Sequence, residues 1–151
     1  MSIEDVKEAL AAIQVAHIPN IGRAYSRAPE SLPPGDLPAF VNLAGPSTID
    51  WNTIGSDNGV ETREYRMRLY VAPLGQGISG EKEEKVETFI TPTREAFSSR
   101  PSLGGVVGVM NVFFQGDTGP VAMEYGSDEF IGVIFKISVV EYVPRTYEVR
   151  E

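Results

Sequence analysis

The side chains best equipped for chemistry are few and scattered. His17 is the single histidine of the chain, and no carboxylate lies within reach in the sequence to complete a metal site or a general-base pair. Arg63, Arg66 and Arg68 place three guanidinium groups within six residues, a density that suits phosphate or the carboxylates of a neighbouring chain. Glu81, Glu83, Glu84 and Glu87 form a carboxylate run, but on a surface helix such residues are normally solvated. The glycine-rich stretch 73–80 lacks the Lys-Ser or Lys-Thr ending of a phosphate-binding loop, and its spacing does not fit a dinucleotide fingerprint. There are no cysteines, which excludes disulfides and thiolate metal sites. No nucleophile sits in a recognisable elbow, and no His/Asp pair is close in sequence. The expectation is a non-enzyme with no catalytic residues, no metal and no cofactor.

Composition narrows the partners. A chain of 151 residues, 42% of them apolar, is expected to form one domain over residues 1–151 with a sizeable core. A formal charge of −8 argues against tight nucleic-acid binding, which needs clustered Lys and Arg, yet it is compatible with DNA sliding past. No apolar run approaches the length of a membrane span, and the acidic start Met1-Ser2-Ile3-Glu4-Asp5 is unlike a signal peptide. A soluble product that keeps its N-terminus is expected.

The elements that must position these residues follow from periodicity. Ile3, Val6, Leu10 and Ile13 recur at helical steps, with Ser2 as N-cap and Pro19 ending the pattern near His17. Residues 31–38 carry three prolines and predict an extended crossing segment, leading into a short strand over 39–43. A loop is expected over 47–59, holding Trp51 and closing on Asn58-Gly59, a hairpin signal. Trp51 is either an interface anchor or a side chain folded back on its own core.

Residues 60–72 alternate cleanly: Tyr65, Met67, Leu69 and Val71 face one way, Glu64, Arg66, Arg68 and Tyr70 the other. A second helix starts near Glu81 and is kinked or restarted at Pro92, with Thr91 as a local cap. Strands follow at 106–114 and 121–125, and then a long one at 130–143 whose row Ile131, Val133, Phe135, Ile137 and Val139 is unbroken apolar. Residues 145–151 read as a charged, extended tail. The fold class predicted is α+β: a single antiparallel sheet of about four to five strands, covered on one face by two helices.

The order and spacing of these segments resemble the tail-terminator or tail-completion proteins found at the neck of long-tailed bacteriophages. The matching stretches are the N-terminal helix with Leu37-Pro38-Ala39-Phe40-Val41, the strand Arg63 to Val71, and Arg100 to Val106. The last is Tyr125-Gly126 with Phe130 to Glu141. The resemblance implies a virion protein made in the host cytoplasm, a hexameric ring that caps the tail tube and offers a docking surface to the head–tail connector, with DNA only passing through its lumen. It brings no catalytic residues and no membrane. Within such a ring, the row Glu64, Arg66 and Arg68 is expected to meet Glu83, Glu84 or Glu87 of the next subunit. Loops 45–59, 73–80 and 115–120 are the expected contacts along the tail axis, through Trp51, Asp57, Asn58, Gly75, Gln76, Gly77 and Asp117. A neck stopper or adaptor is the alternative reading within the virion, and a small-molecule-binding α+β domain is the alternative outside it.

Overall fold

The computed structural model describes residues 3–51, 59–75 and 79–143. Helix α1 spans Ile3–His17, and Val6, Leu10 and Ile13 form its buried stripe. Strand β1 is Arg23–Tyr25, and a short 3-10 turn, Pro34–Asp36, interrupts the crossing segment. Strands β2 (Ala39–Asp50) and β3 (Gly59–Pro73) come next, then helices α2 (Gly80–Glu87) and α3 (Ile90–Ser98). The chain closes its sheet with β4 (Val109–Asp117), β5 (Val121–Tyr125) and β6 (Asp128–Val143).

The architecture is α+β, but the sheet is larger than expected and not wholly antiparallel. Six strands run in the order β1-β2-β3-β6-β4, with β5 also paired to β6. Strand β1 lies parallel to β2, Arg23 opposite Ala39 and Tyr25 opposite Val41. Three residues are too short to carry a period, which is why sequence periodicity passes over β1. Strands β4 and β5 both run antiparallel to β6, with Asp117 opposite Phe135 and Val121 opposite Gly132. They share one position in the sheet, broken at 118–120, so the six strands fill five places.

Other boundaries move as well. Strand β2 continues past Gly45-Pro46 to Asp50, which pairs with Val60, so residues 47–50 of the expected loop 47–59 are ladder, and 52–58 lie outside the described residues. A register shift between Ala44 and Ser47 absorbs the Gly-Pro pair, and proline is tolerated at such a bulge because no ladder N–H is needed there. Strand β4 ends at Asp117, so the expected turn 115–120 shrinks to 118–120. The second helix breaks at Thr88-Phe89 rather than at Pro92. Phe89, not Thr91, stands at the N-cap of α3. Pro92 is then the third residue of α3, where a backbone N–H has no intrahelical acceptor and proline costs nothing. Residues 144–151, including the predicted tail, and Ser2 lie outside the described residues.

The inner face of the sheet carries the main core. Tyr65, Met67, Leu69 and Val71 of β3 and Ile131, Val133, Phe135, Ile137 and Val139 of β6 are all buried, as the alternation predicts. Leu10 and Val6 of α1, Val86 of α2 and Phe97 of α3 pack into the same cluster. The outer face differs from expectation. Alternation puts Tyr70 in the charged row, yet it is buried in a second cluster with Leu32, Ala39, Val41, Met123 and Phe130. Its ring meets Tyr125 edge-on at 5.5 Å and Phe130 at 5.6 Å. The Tyr125 hydroxyl donates to the Pro29 carbonyl, which ties the proline-rich segment over this end of the sheet. One end of the sheet is therefore covered on both faces.

Gly132 makes that double cover possible. It sits opposite Tyr70, beside the register shift between Tyr70 and Ala72. A Cβ there would lie 2.0 Å from the Leu69 carbonyl oxygen and 2.9 Å from Met123 Sδ. Backbone oxygen cannot yield as a flexible side chain can. Gly132→Ala is expected to cost roughly 1–3 kcal/mol, the usual range for overpacking, read as a lower urea midpoint. An unchanged midpoint would show that the two strands separate freely at this point.

Candidate functional site

Beyond the double-covered end, the outer face lies open and its charges are organised. Arg66 stands directly opposite Lys136 across the β3–β6 ladder, a like-charge pair that is unfavourable alone. Glu64 resolves it: its two oxygens lie 3.2 Å from Arg66 Nη2 and 3.3 Å from Lys136 Nζ. Glu64 thus acts within its own chain as the anchor of two exposed cations. Arg68 lies one row further, between Val41 and Ile134, and its buried Nε has no hydrogen-bond partner among the described residues. Three cations to one carboxylate make this a basic patch on an acidic chain.

Next to the patch the face mixes apolar and polar side chains, Val140 lying between Thr62 and Asn111. Phe113 of β4 is opposite Ser138, and Val140 and Tyr142 follow on the same side of β6. Phe113 is 52% exposed and Tyr142 49% exposed, among the most open large apolar side chains described. A shallow groove of about 220 Å³, lined by Thr48, Thr62, Glu64, Gln115 and Ser138, runs alongside.

The acidic residues proposed as counterparts sit on the other layer. Glu81, Glu83, Glu84 and Glu87 are exposed on α2. Helix α2 packs against β3 and β6 through Val86, a member of the inner core. No ion pair joins Glu83, Glu84 or Glu87 to another described residue. Basic row and acidic helix are thus on opposite faces of one sheet.

The expected loop contacts are dispersed. Trp51 covers Gly59, where a Cβ would come within 2.6 Å of its ring, yet it remains 37% exposed. Gly75 follows β3 with a positive φ of 54°. Asp117 ends β4, its Oδ1 accepting the Gly119 N–H at 2.7 Å. Asp57, Asn58, Gln76 and Gly77 lie outside the described residues. His17 is an exposed helix-end residue whose Nδ1 lies 3.0 Å from Arg100 Nη2.

Two polar constellations escaped the sequence. Gln14 and Asn42 are fully buried and exchange amide hydrogen bonds of 2.7 and 2.9 Å, joining α1 to β2. Asn42 Nδ2 also donates to the Tyr25 carbonyl at 3.0 Å, which fixes β1. The second lies on the inner face at the far end of the core. Glu61 and Glu141 are directly opposite on β3 and β6, with Arg63 Nη2 3.5 Å from Glu61 Oε2. The Tyr65 hydroxyl, Arg63 Nε and Glu141 Oε1 are buried with no partner among the described residues. Burial, reinforced by the Glu61 charge and opposed by Arg63, pushes the Glu141 carboxyl above its ordinary value. Burial likewise raises Tyr65 and keeps its phenol neutral. Only the ladder register brings these residues together, and no local motif marks them.

Among the described residues no three His, Cys, Asp or Glu side chains gather as a metal site. None of the described helices is long and apolar enough to cross a membrane. No protein-family model matches the chain, and no curated protein matches it.

The Glu141 environment sets a pH dependence. A carboxyl whose pKa is raised by folding favours the fold when protonated. Stability falls as pH rises through the ordinary carboxylate range towards the raised value. Glu141→Gln should remove that slope, stabilising the protein at pH 7 by less than about 1 kcal/mol, since the site is only partly screened from water. The gain should vanish near about pH 4, where the native carboxyl is protonated too. Urea unfolding across that range checks it, and a loss of stability at pH 7 would show that the ionised carboxylate supports the fold.

Proposed function

We propose that the chain is a structural subunit of a phage neck, a tail terminator that closes into a ring on the end of the tail tube. The observation that carries the reading is the separation of charge between the two layers. Arg66, Arg68 and Lys136 stand on the open face of the sheet, and Glu83, Glu84 and Glu87 stand on the helical layer behind it. One copy cannot bring its own two patches together, whereas a front-to-back neighbour can. Such a contact uses two different surfaces on each subunit, which is the condition for a closed ring. The resemblance in segment order supplies the phage tail as its setting, with a hexamer as the stoichiometry and the connector as the partner on the far side. A lumen lined by subunits of formal charge −8 would let DNA pass without holding it.

Light scattering on the purified chain, with and without tail tubes, tests this, together with imaging of any rings. A six-fold ring, free or formed on tube ends, is expected. A monomer or dimer indifferent to tubes would overturn the reading. Reversing Arg66 and Arg68 to Glu should weaken assembly by about tenfold or more and make the residual association less sensitive to salt. Assembly unaffected by the reversal would remove the basic row from the interface.

A further inference from the structure

Beyond the basic row the outer face exposes Phe113 and Tyr142, and α2 offers little to cover them, because its exposed residues are almost all charged. Another helix does. On α1 the solvent side carries Val15 at 57% exposure, with Ala12 and Ala16 also exposed. Glu4 and Glu8 stand exposed near its start. Small and apolar residues give this ridge a smooth profile, suited to lying across a flat sheet face.

The two surfaces match in order as well as in kind. Along α1 the chain reads acidic at Glu4 and Glu8, then apolar to Val15. Along β6 it reads basic at Lys136, beside Arg66, then apolar at Val140 and Tyr142, with Phe113 alongside. At 1.5 Å per residue, Glu4 to Val15 spans about 16 Å. At about 3.3 Å per residue, Lys136 to Tyr142 spans about 20 Å. A helix laid with its N-terminus towards Lys136 places carboxylates against cations and aliphatic groups against the aromatic rings. Exposed Phe and Tyr on the same face as Arg are residue types that protein interfaces favour.

We propose that the open outer face, from Arg66 and Lys136 to Phe113 and Tyr142, seats the exposed ridge of α1 from a second copy of this chain. Helix α1 packs on the inner face through Val6 and Leu10, so a chain cannot reach its own outer face with it. The contact runs front to back. It keeps the front-to-back ring but makes Glu4 and Glu8 of α1, in place of Glu83, Glu84 and Glu87 of α2, the acidic partners of Arg66 and Lys136; it rests on the ring reading for closure but not for the contact itself.

The absence of native cysteine makes the test direct. Phe113→Cys is labelled with a benzophenone maleimide, and Val15→Cys serves as the reciprocal variant. Both are irradiated at concentrations where light scattering shows association, or on tail tubes. Cross-links from position 113 to residues 3–17 of another copy, and from position 15 to residues 109–117 or 136–142, are expected. Mixing isotopically light and heavy chains separates these from links within one chain. In a second arm, Ala12→Lys with Val15→Lys should raise the concentration for half-assembly about tenfold or more, with urea stability retained. Cross-links to α2, to α3 or only to tube protein would overturn the proposal while leaving a ring intact. So would a lysine variant that assembles like the parent. An open assembly carrying the expected cross-links would uphold the contact and overturn the ring. A chain monomeric under every condition would overturn both.

Discussion

Strand β6 is held along both edges, and the rest of the molecule is arranged to permit it. Strand β3 pairs with it from Phe130 to Val143, and on the other side β4 and β5 divide its length between them. A strand so enclosed has its register specified twice, and a slip of one residue would turn Ile131, Val133, Phe135, Ile137 and Val139 out of the core. The glycine at 132 and the two bulges of β4 are the local adjustments that let three strand positions of unequal length stay in step.

Where a face is continuously buried, the sequence was a good guide. The inner rows of β3 and β6 and the buried stripe of α1 follow from their periods, because one unbroken core imposes the same demand at each repeat. What escaped has a common cause. Tyr70 sits in a charged row and looks solvated, and only the proline-rich segment folding back over it makes it core. Strand β1 exists because Asn42 and the start of β2 hold three residues in place, and no local pattern announces it. Gln14 has no local signal, because its hydrogen-bond partner Asn42 lies on another element. Glu61, Arg63, Tyr65 and Glu141 became neighbours through register alone.

The candidate surface divides in the same way. Arg66 and Arg68 were visible as an alternating basic row, but Lys136 was not linked to them until β6 was placed beside β3. Glu64 then changes meaning: rather than one more interface charge, it is the counterion that lets two cations share a site. Phe113 and Tyr142 carry no signal alone because an isolated exposed aromatic residue is ordinary, and their significance depends on sharing one face of the sheet with the cations.

The uneven covering of the sheet has a mechanical side. At the Phe130 end the strands are laminated between two apolar layers, whereas the Tyr142 end is backed on one side only. A plate clamped in this manner bends where it is thin. Thermal twisting will concentrate in the outer rows around Val140 and Tyr142, and the clamped end will keep its shape. A single chain built on these lines has a rigid root and a compliant tip, and changes in its curvature are taken up at the tip without disturbing the root.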